Sequence, residues 1–223
     1  MSDDQSVGAD SVSWIKWVLA NANERKSRLF ACACVRRFLY LARESEEPEA
    51  FAAIDTAERF ADGDADASEL QPAADAAYEA ATRNDGPEMG NPLLDAVGAA
   101  AEDLHTYFTK NLLEQAEDYS DCTIGDPTYD KWVLSWHRHV LRAAHDVFGE
   151  RDHPTPFDPA WRTSEVENLA RRIYEERDFG RMPELGAALR AAGCDDAEVL
   201  AHCESPEGHS RGCWVIDAIL GRS

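Results

Sequence analysis

The sequence predicts an all-α fold: an irregular multi-helix bundle with a small helical segment at its C-terminal end that carries Cys and His residues. Three observations predict it. Apolar residues recur at helical spacing along nearly the whole chain. Helix start signals recur at Pro48, Asn91-Pro92, Asp126-Pro127 and Ser164–Glu167, with glycines at 63, 149 and 193 to stop them. No strand-like alternation persists, and no sequence repeat of fixed period suggests a solenoid. The chain has 223 residues, 44% of them hydrophobic, enough for one large domain, or one with a small appendage, whose core needs no disulfides.

The elements follow in order. Residues 1–12 are polar and are expected to be disordered. Residues 13–148 read as an acidic helical bundle, and 149–223 as a C-terminal helical segment packed on it in one continuous domain. Trp14, Trp17 and Val18 share a helical face. The stretch from Arg28 to Ala42 is apolar nearly all round except at Arg36 and Arg37, which predicts a central buried helix. A third helix starts at Pro48, carries Phe51, Ile54 and Phe60, and stops by Gly63. Residues 64–90 are rich in Ala and Asp. Pro72 interrupts their pattern, so a short helix is expected before the breaker Asn84-Asp-Gly-Pro.

Asn91-Pro92 opens a helix through Leu93, Leu94, Val97, Leu104, Phe108 and Leu112. Asp126-Pro127 opens the next, through Trp132, Trp136, Val140 and Val147 to Gly149. Pro154, Pro156 and Pro159 make 149–162 an extended loop. Ser164-Glu-Val-Glu167 has the form of a capping box ahead of Leu169, Ile173 and Tyr174. Pro183 starts a helix that closes at Gly193, and two short helices follow near 195–203 and 212–220. The total is about eight to ten helices packed through facing apolar stripes.

Charge is segregated. The net charge is -21. Between Glu44 and Asp121 there are 21 acidic residues and only Arg59, Arg83 and Lys110 to offset them. Between Trp14 and Arg43 the sign reverses, with seven basic residues against Glu24 alone. A body this acidic repels phosphate backbones, which argues against direct nucleic-acid binding. The acidic middle is either a solvated surface or a face for a basic protein partner, and the basic stretch is expected to dock on it. No apolar run approaches the ~20 residues that span a bilayer, and the start Met1-Ser-Asp-Asp-Gln has no apolar signal segment. The expected compartment is the cytoplasm, with reduced thiols.

Six cysteines are present. Cys32 and Cys34 form a Cys-x-Cys pair, but residues two apart on a helix point about 200° apart, so both read as core. The C-terminal segment gathers Cys194, His202, Cys203, His209 and Cys213 within twenty residues. Cys203-x5-His209-x3-Cys213 is spaced to wrap a tetrahedral ion, with Cys194 or His202 completing the set, and zinc takes such sulfur and nitrogen ligands. The turn at Pro206 and Gly208 would bring His209 back toward Cys203. The alternative is a small apolar corner in which Cys194, Cys203 and Cys213 pack beside Trp214 while the two histidines cap helices or face water. Asp146 reads as a surface partner for a neighbouring histidine. There is no Gly-rich phosphate loop, no Gly-x-Ser-x-Gly elbow and no His-Glu-x-x-His.

Two segments carry a resemblance. Ser27-Arg-Leu-Phe-Ala-Cys-Ala-Cys-Val-Arg-Arg-Phe38 resembles an N-terminal motif of a bacterial family whose genomes often hold several paralogues. Phe157-Asp-Pro-Ala-Trp161 and the run from Ala192-Gly-Cys-Asp-Asp-Ala-Glu-Val-Leu-Ala-His-Cys203 to His209-Ser-Arg-Gly-Cys-Trp-Val-Ile-Asp-Ala-Ile-Leu-Gly221 resemble its C-terminal half. The likeness covers residues 14–63 and 130–222, with the acidic middle as the variable part. The family often has a further Cys where this chain has Val35, which argues against a metal cluster in that helix. The resemblance implies a shared scaffold in which the two motif segments pack together, and it supplies no activity.

These readings predict a non-enzymatic interaction or regulatory protein with an acidic surface, stabilised by a structural zinc ion if the C-terminal group binds metal. One alternative is an immunity or inhibitor protein against a basic toxin, nuclease or DNA-binding protein. The other is a zinc- or thiol-dependent enzyme built on Cys203, His209 and Cys213.

Overall fold

The computed structural model describes residues 3–41, 48–83, 112–121, 127–150 and 157–222. Ten α-helices and two short 3-10 turns account for most of these residues, and no strand occurs among them. The chain divides into two compact units, Met1–Leu141 and Arg142–Ser223. The division falls inside a helix.

In the first unit, α1 spans Asp3–Asn21, α2 Glu24–Leu41, α3 Pro48–Ala61, α4 Ala67–Arg83 and α5 Leu113–Asp121. The sixth helix, α6, spans Pro127–Phe148 and passes into the second unit at Arg142. The expectation of disorder over 1–12 is corrected for residues 3–12, the part that is described: α1 begins at Asp3 and Ser11 is fully buried. Its polar group is satisfied internally. Ser11 Oγ donates to the carbonyl of Gly8 at 2.9 Å and lies 2.7 Å from Nδ1 of His137 on α6. A buried polar side chain with partners does not oppose helix formation.

The central helix is α2, in which Leu29 to Val35 are at most 1% exposed. Its mixed composition is explained by what its cations meet. Arg28 is buried with its guanidinium 4.8 Å from the centre of the Phe60 ring. Arg36 binds the buried Glu58 at 2.9 Å and also Asp55, and Arg25 binds Asp62 at 3.0 Å. Lys16 reaches Glu117 on α5 at 2.7 Å. The basic N-terminal stretch therefore docks on acidic residues of the same unit. Helix α2 packs on α3, α3 on α4, and α1 on α5.

Pro72 does not divide the 64–90 segment. Helix α4 runs through it. Asp66 caps the helix, its Oδ1 accepting from Ser68 N at 2.8 Å and Ser68 Oγ at 2.6 Å. Pro72 removes a bond to the carbonyl of Ser68, and both residues face solvent, where water can replace that bond. The breaker at Asn84 and the helix expected from Asn91 as far as Phe108 lie outside the described residues.

The second unit holds the end of α6, then α7 (Ser164–Glu176), α8 (Met182–Ala191), α9 (Ala197–Glu204) and α10 (Trp214–Leu220). Leu169, Ile173, Tyr174, Leu185, Leu189, Val199, Ile216 and Ile219 form its core. The cap of α7 is Thr163, not Ser164: Thr163 is extended and its hydroxyl accepts from Val166 N at 3.3 Å. Helix α8 carries Pro183 in its first turn, and Gly193 follows its end at φ 91°. No described helix is long and apolar enough to cross a membrane.

Candidate metal centre

Four side chains of the second unit converge: Asp146, His202, His209 and Cys213. One ligand atom from each lies within 4.8 Å of all the others, so the group can hold a metal ion. They come from three places in the chain. Asp146 sits in the last turn of α6, His202 near the end of α9, and His209 and Cys213 on the connection from α9 to α10.

Local sequence explains each position. Helix α6 ends at Gly149, whose φ of 68° is the left-handed stop that glycine adopts without strain. The Trp214 ring lies over this stop, 3.4 Å from where a Cβ would stand. Asp196 caps α9, accepting from Glu198 N at 2.9 Å and Val199 N at 3.0 Å. Adjacent residues on α9 point about 100° apart. His202 therefore faces the acidic group while Cys203 faces the apolar core. After α9, Pro206 and Gly208 carry the chain around so that His209 meets Asp146 across 63 residues of sequence.

The distances suit a small ion. His202 Nε2 lies 3.1 Å from Cys213 Sγ and 3.4 Å from Asp146 Oδ1. His209 Nδ1 lies 2.9 Å from the same Oδ1. A tetrahedral zinc ion with bonds of about 2.0–2.3 Å sets its donors about 3.3–3.7 Å apart, so the close pairs would open slightly and the widest, within 4.8 Å, would draw in. The other oxygen of Asp146 is taken. Its Oδ2 accepts from Ser210 N at 2.8 Å and from Ser210 Oγ at 2.6 Å. The rings of His202 and His209 meet edge to face at 4.8 Å, and Trp214 covers His202 at 5.3 Å. His209 Nε2 is buried with no hydrogen-bond partner.

Electrostatics follow from burial. Burial alone would raise the Asp146 carboxyl, but the hydrogen bonds and charges of His202 and His209 outweigh it and hold the group well below the usual carboxylate range. Burial pushes the Cys213 thiol well above its ordinary value and the Asp146 charge adds to this, opposed by the backbone N–H groups of Ile216 and Val215. A cation placed among these donors would reverse that preference and favour the thiolate.

The expected ligands separate into two groups. His202, His209 and Cys213 come together, whereas Cys203 and Cys194 lie in the apolar core. Cys203 is fully buried, its Cβ 3.0 Å from where a Cβ on Gly186 would stand, and burial pushes its thiol up to about 12. Cys194 is buried close by, its thiol also raised by burial. The expectation that the two histidines cap helices or face water is corrected, because both turn inward on Asp146. The surface role expected of Asp146 is also corrected, since it is 5% exposed and its partners are 56 and 63 residues away. One signal pointed to it: an acid beside the buried stripe Val140, Ala143, Ala144 and Val147, in the last turn, where helix carbonyls disfavour negative charge.

Cys32 and Cys34 are buried in α2 as core residues. Cys122 lies outside the described residues. Comparison with protein-family models, curated proteins and solved structures gave no match.

Proposed function

We propose that the protein is a non-enzymatic helical scaffold whose C-terminal unit is closed by a structural zinc ion bound to Asp146, His202, His209 and Cys213. The observation that carries this reading is the convergence of four donors on one buried point from three separated chain segments. Two imidazoles, a thiol and a carboxylate suit zinc, whereas magnesium and calcium prefer oxygen donors alone. Four protein ligands leave no open coordination position, and catalytic zinc keeps one for water. This favours a structural ion over the enzyme built on Cys203, His209 and Cys213. The reading places the protein in the cytoplasm, where Cys213 stays reduced.

The partner this reading implies is a protein with a basic surface. Arg25 and Arg36 of the basic stretch are paired with acids of the first unit, and the chain as a whole keeps a net charge of -21 that a basic surface would complement. An inhibitor of a basic toxin or nuclease is one such protein. We also assign the chain to the bacterial paralogue family that its two motifs resemble.

Metal content of protein purified under reducing conditions tests the zinc. One zinc per chain, with a lower melting temperature after chelation, is the expected result; a metal-free protein indifferent to chelator and added zinc would reduce the group to a buried Asp–His network. Binding to a basic partner should weaken as salt rises.

A further inference from the structure

We infer that Ser210 is the positioning residue that confines Asp146 to one ligand oxygen and so makes the centre four-coordinate. The inference rests on the zinc reading and adds which residue sets its coordination number.

Ser210 touches two of the four ligands and is bonded in sequence to a third. Its N–H and its hydroxyl both bind Asp146 Oδ2, at 2.8 and 2.6 Å, while its carbonyl accepts the N–H of Cys213 at 3.1 Å. Its chain neighbour is His209. The residue is itself buried.

A carboxylate binds a metal through one oxygen or through both. Two donors on Oδ2 hold that oxygen away from the ion and leave Oδ1 facing His202 and His209. With three other ligands in place, a single oxygen completes a tetrahedron. Both oxygens would give five-coordination and open the centre to cations that prefer more oxygen ligands. Partners of this kind orient metal ligands, and their loss typically lowers metal affinity 10–100-fold.

The test uses the full chain, stripped of metal and reduced, as wild type, Ser210→Ala and Ser210→Thr. Each is titrated with cobalt(II), whose visible bands are intense in a tetrahedral field and weaker with five and then six ligands, and then with competing zinc(II). Wild type and Ser210→Thr, which keep the hydroxyl, are expected to give the intense spectrum. Ser210→Ala is expected to bind 10–100-fold more weakly and to give a weaker spectrum. Ser210→Ala with wild-type affinity and spectrum would overturn the role of Ser210 and leave the metal centre standing. Wild-type protein that takes up neither cobalt nor zinc would overturn both. Should Ser210→Ala lose its helical circular dichroism, Ser210→Val, which has the shape of Ser210→Thr without its hydroxyl, takes its place: weaker binding and a weaker spectrum than Ser210→Thr support the hydroxyl, and equal affinity and spectrum overturn it.

Discussion

His202 and Cys203 are neighbours in the chain but serve different environments. His202 Nε2 stands 3.1 Å from Cys213 Sγ, while Cys203 is wedged against Gly186 in the apolar core. One helical step of about 100° produces this division, and it determines which thiol can meet a metal.

The first prediction tests that division. Cys203→Ser and Cys194→Ser are expected to keep one metal ion per chain. They should destabilise the fold by about 1–3 kcal/mol, because each places a hydroxyl in an apolar pocket. Cys213→Ser and His209→Ala are expected to lose the ion. Elemental analysis of the four variants, beside their urea midpoints, separates the two sets.

Asp146→Ala should be among the most damaging changes in the second unit. It removes the common partner of His202, His209 and Ser210 from a buried site, and such losses cost about 3–5 kcal/mol. Zinc should stabilise wild-type protein in urea and leave Asp146→Ala unchanged. Equal zinc stabilisation of both proteins would remove Asp146 from the ligand set.

Thiol reactivity supplies a third prediction. The thiolate is the reactive form, and the Cys203 thiol is pushed up to about 12 by burial, with Cys194 and Glu204 adding to it. At pH 8 in the folded protein, Cys203 should resist an alkylating reagent, as should the fully buried Cys32 and Cys34. Peptide mass spectrometry before and after unfolding measures this. Rapid native labelling at Cys203 would show that the second unit opens readily.

In the first unit, Arg36→Ala takes the Arg36 guanidinium away from Glu58, a carboxylate only 1% exposed. The expected loss is about 3–5 kcal/mol. The double variant Arg36→Ala with Glu58→Ala should recover part of it, because the buried carboxylate that lost this cation is gone. Chemical denaturation of the three variants gives the coupling energy, and purely additive losses would mean the pair contributes nothing specific.

Much of the fold was legible in the chain itself. Helical periodicity, Pro48, Pro127 and Pro183 near helix starts, and Gly63, Gly149 and Gly193 at or just beyond their ends are local signals, and the helices follow them. The buried run of α2 was legible for the same reason. The first turns of α1 were not, because Ser11 is buried through a bond to His137, far along the chain. The cap of α7 moved by one residue because Thr163 and Ser164 offer the same chemistry and only the backbone angle chooses between them.

The candidate centre divides in the same way. By itself, the sequence determined that Cys194, His202, Cys203, His209 and Cys213 lie close enough along the chain for several of them to meet around one turn. Tertiary structure alone decided that Asp146 joins them, that Ser210 holds it, and that Cys194 and Cys203 turn away. The physical reason is range: helix periodicity and turns act over a few residues, whereas a buried carboxylate finds its partners wherever packing brings a donor within about 3 Å.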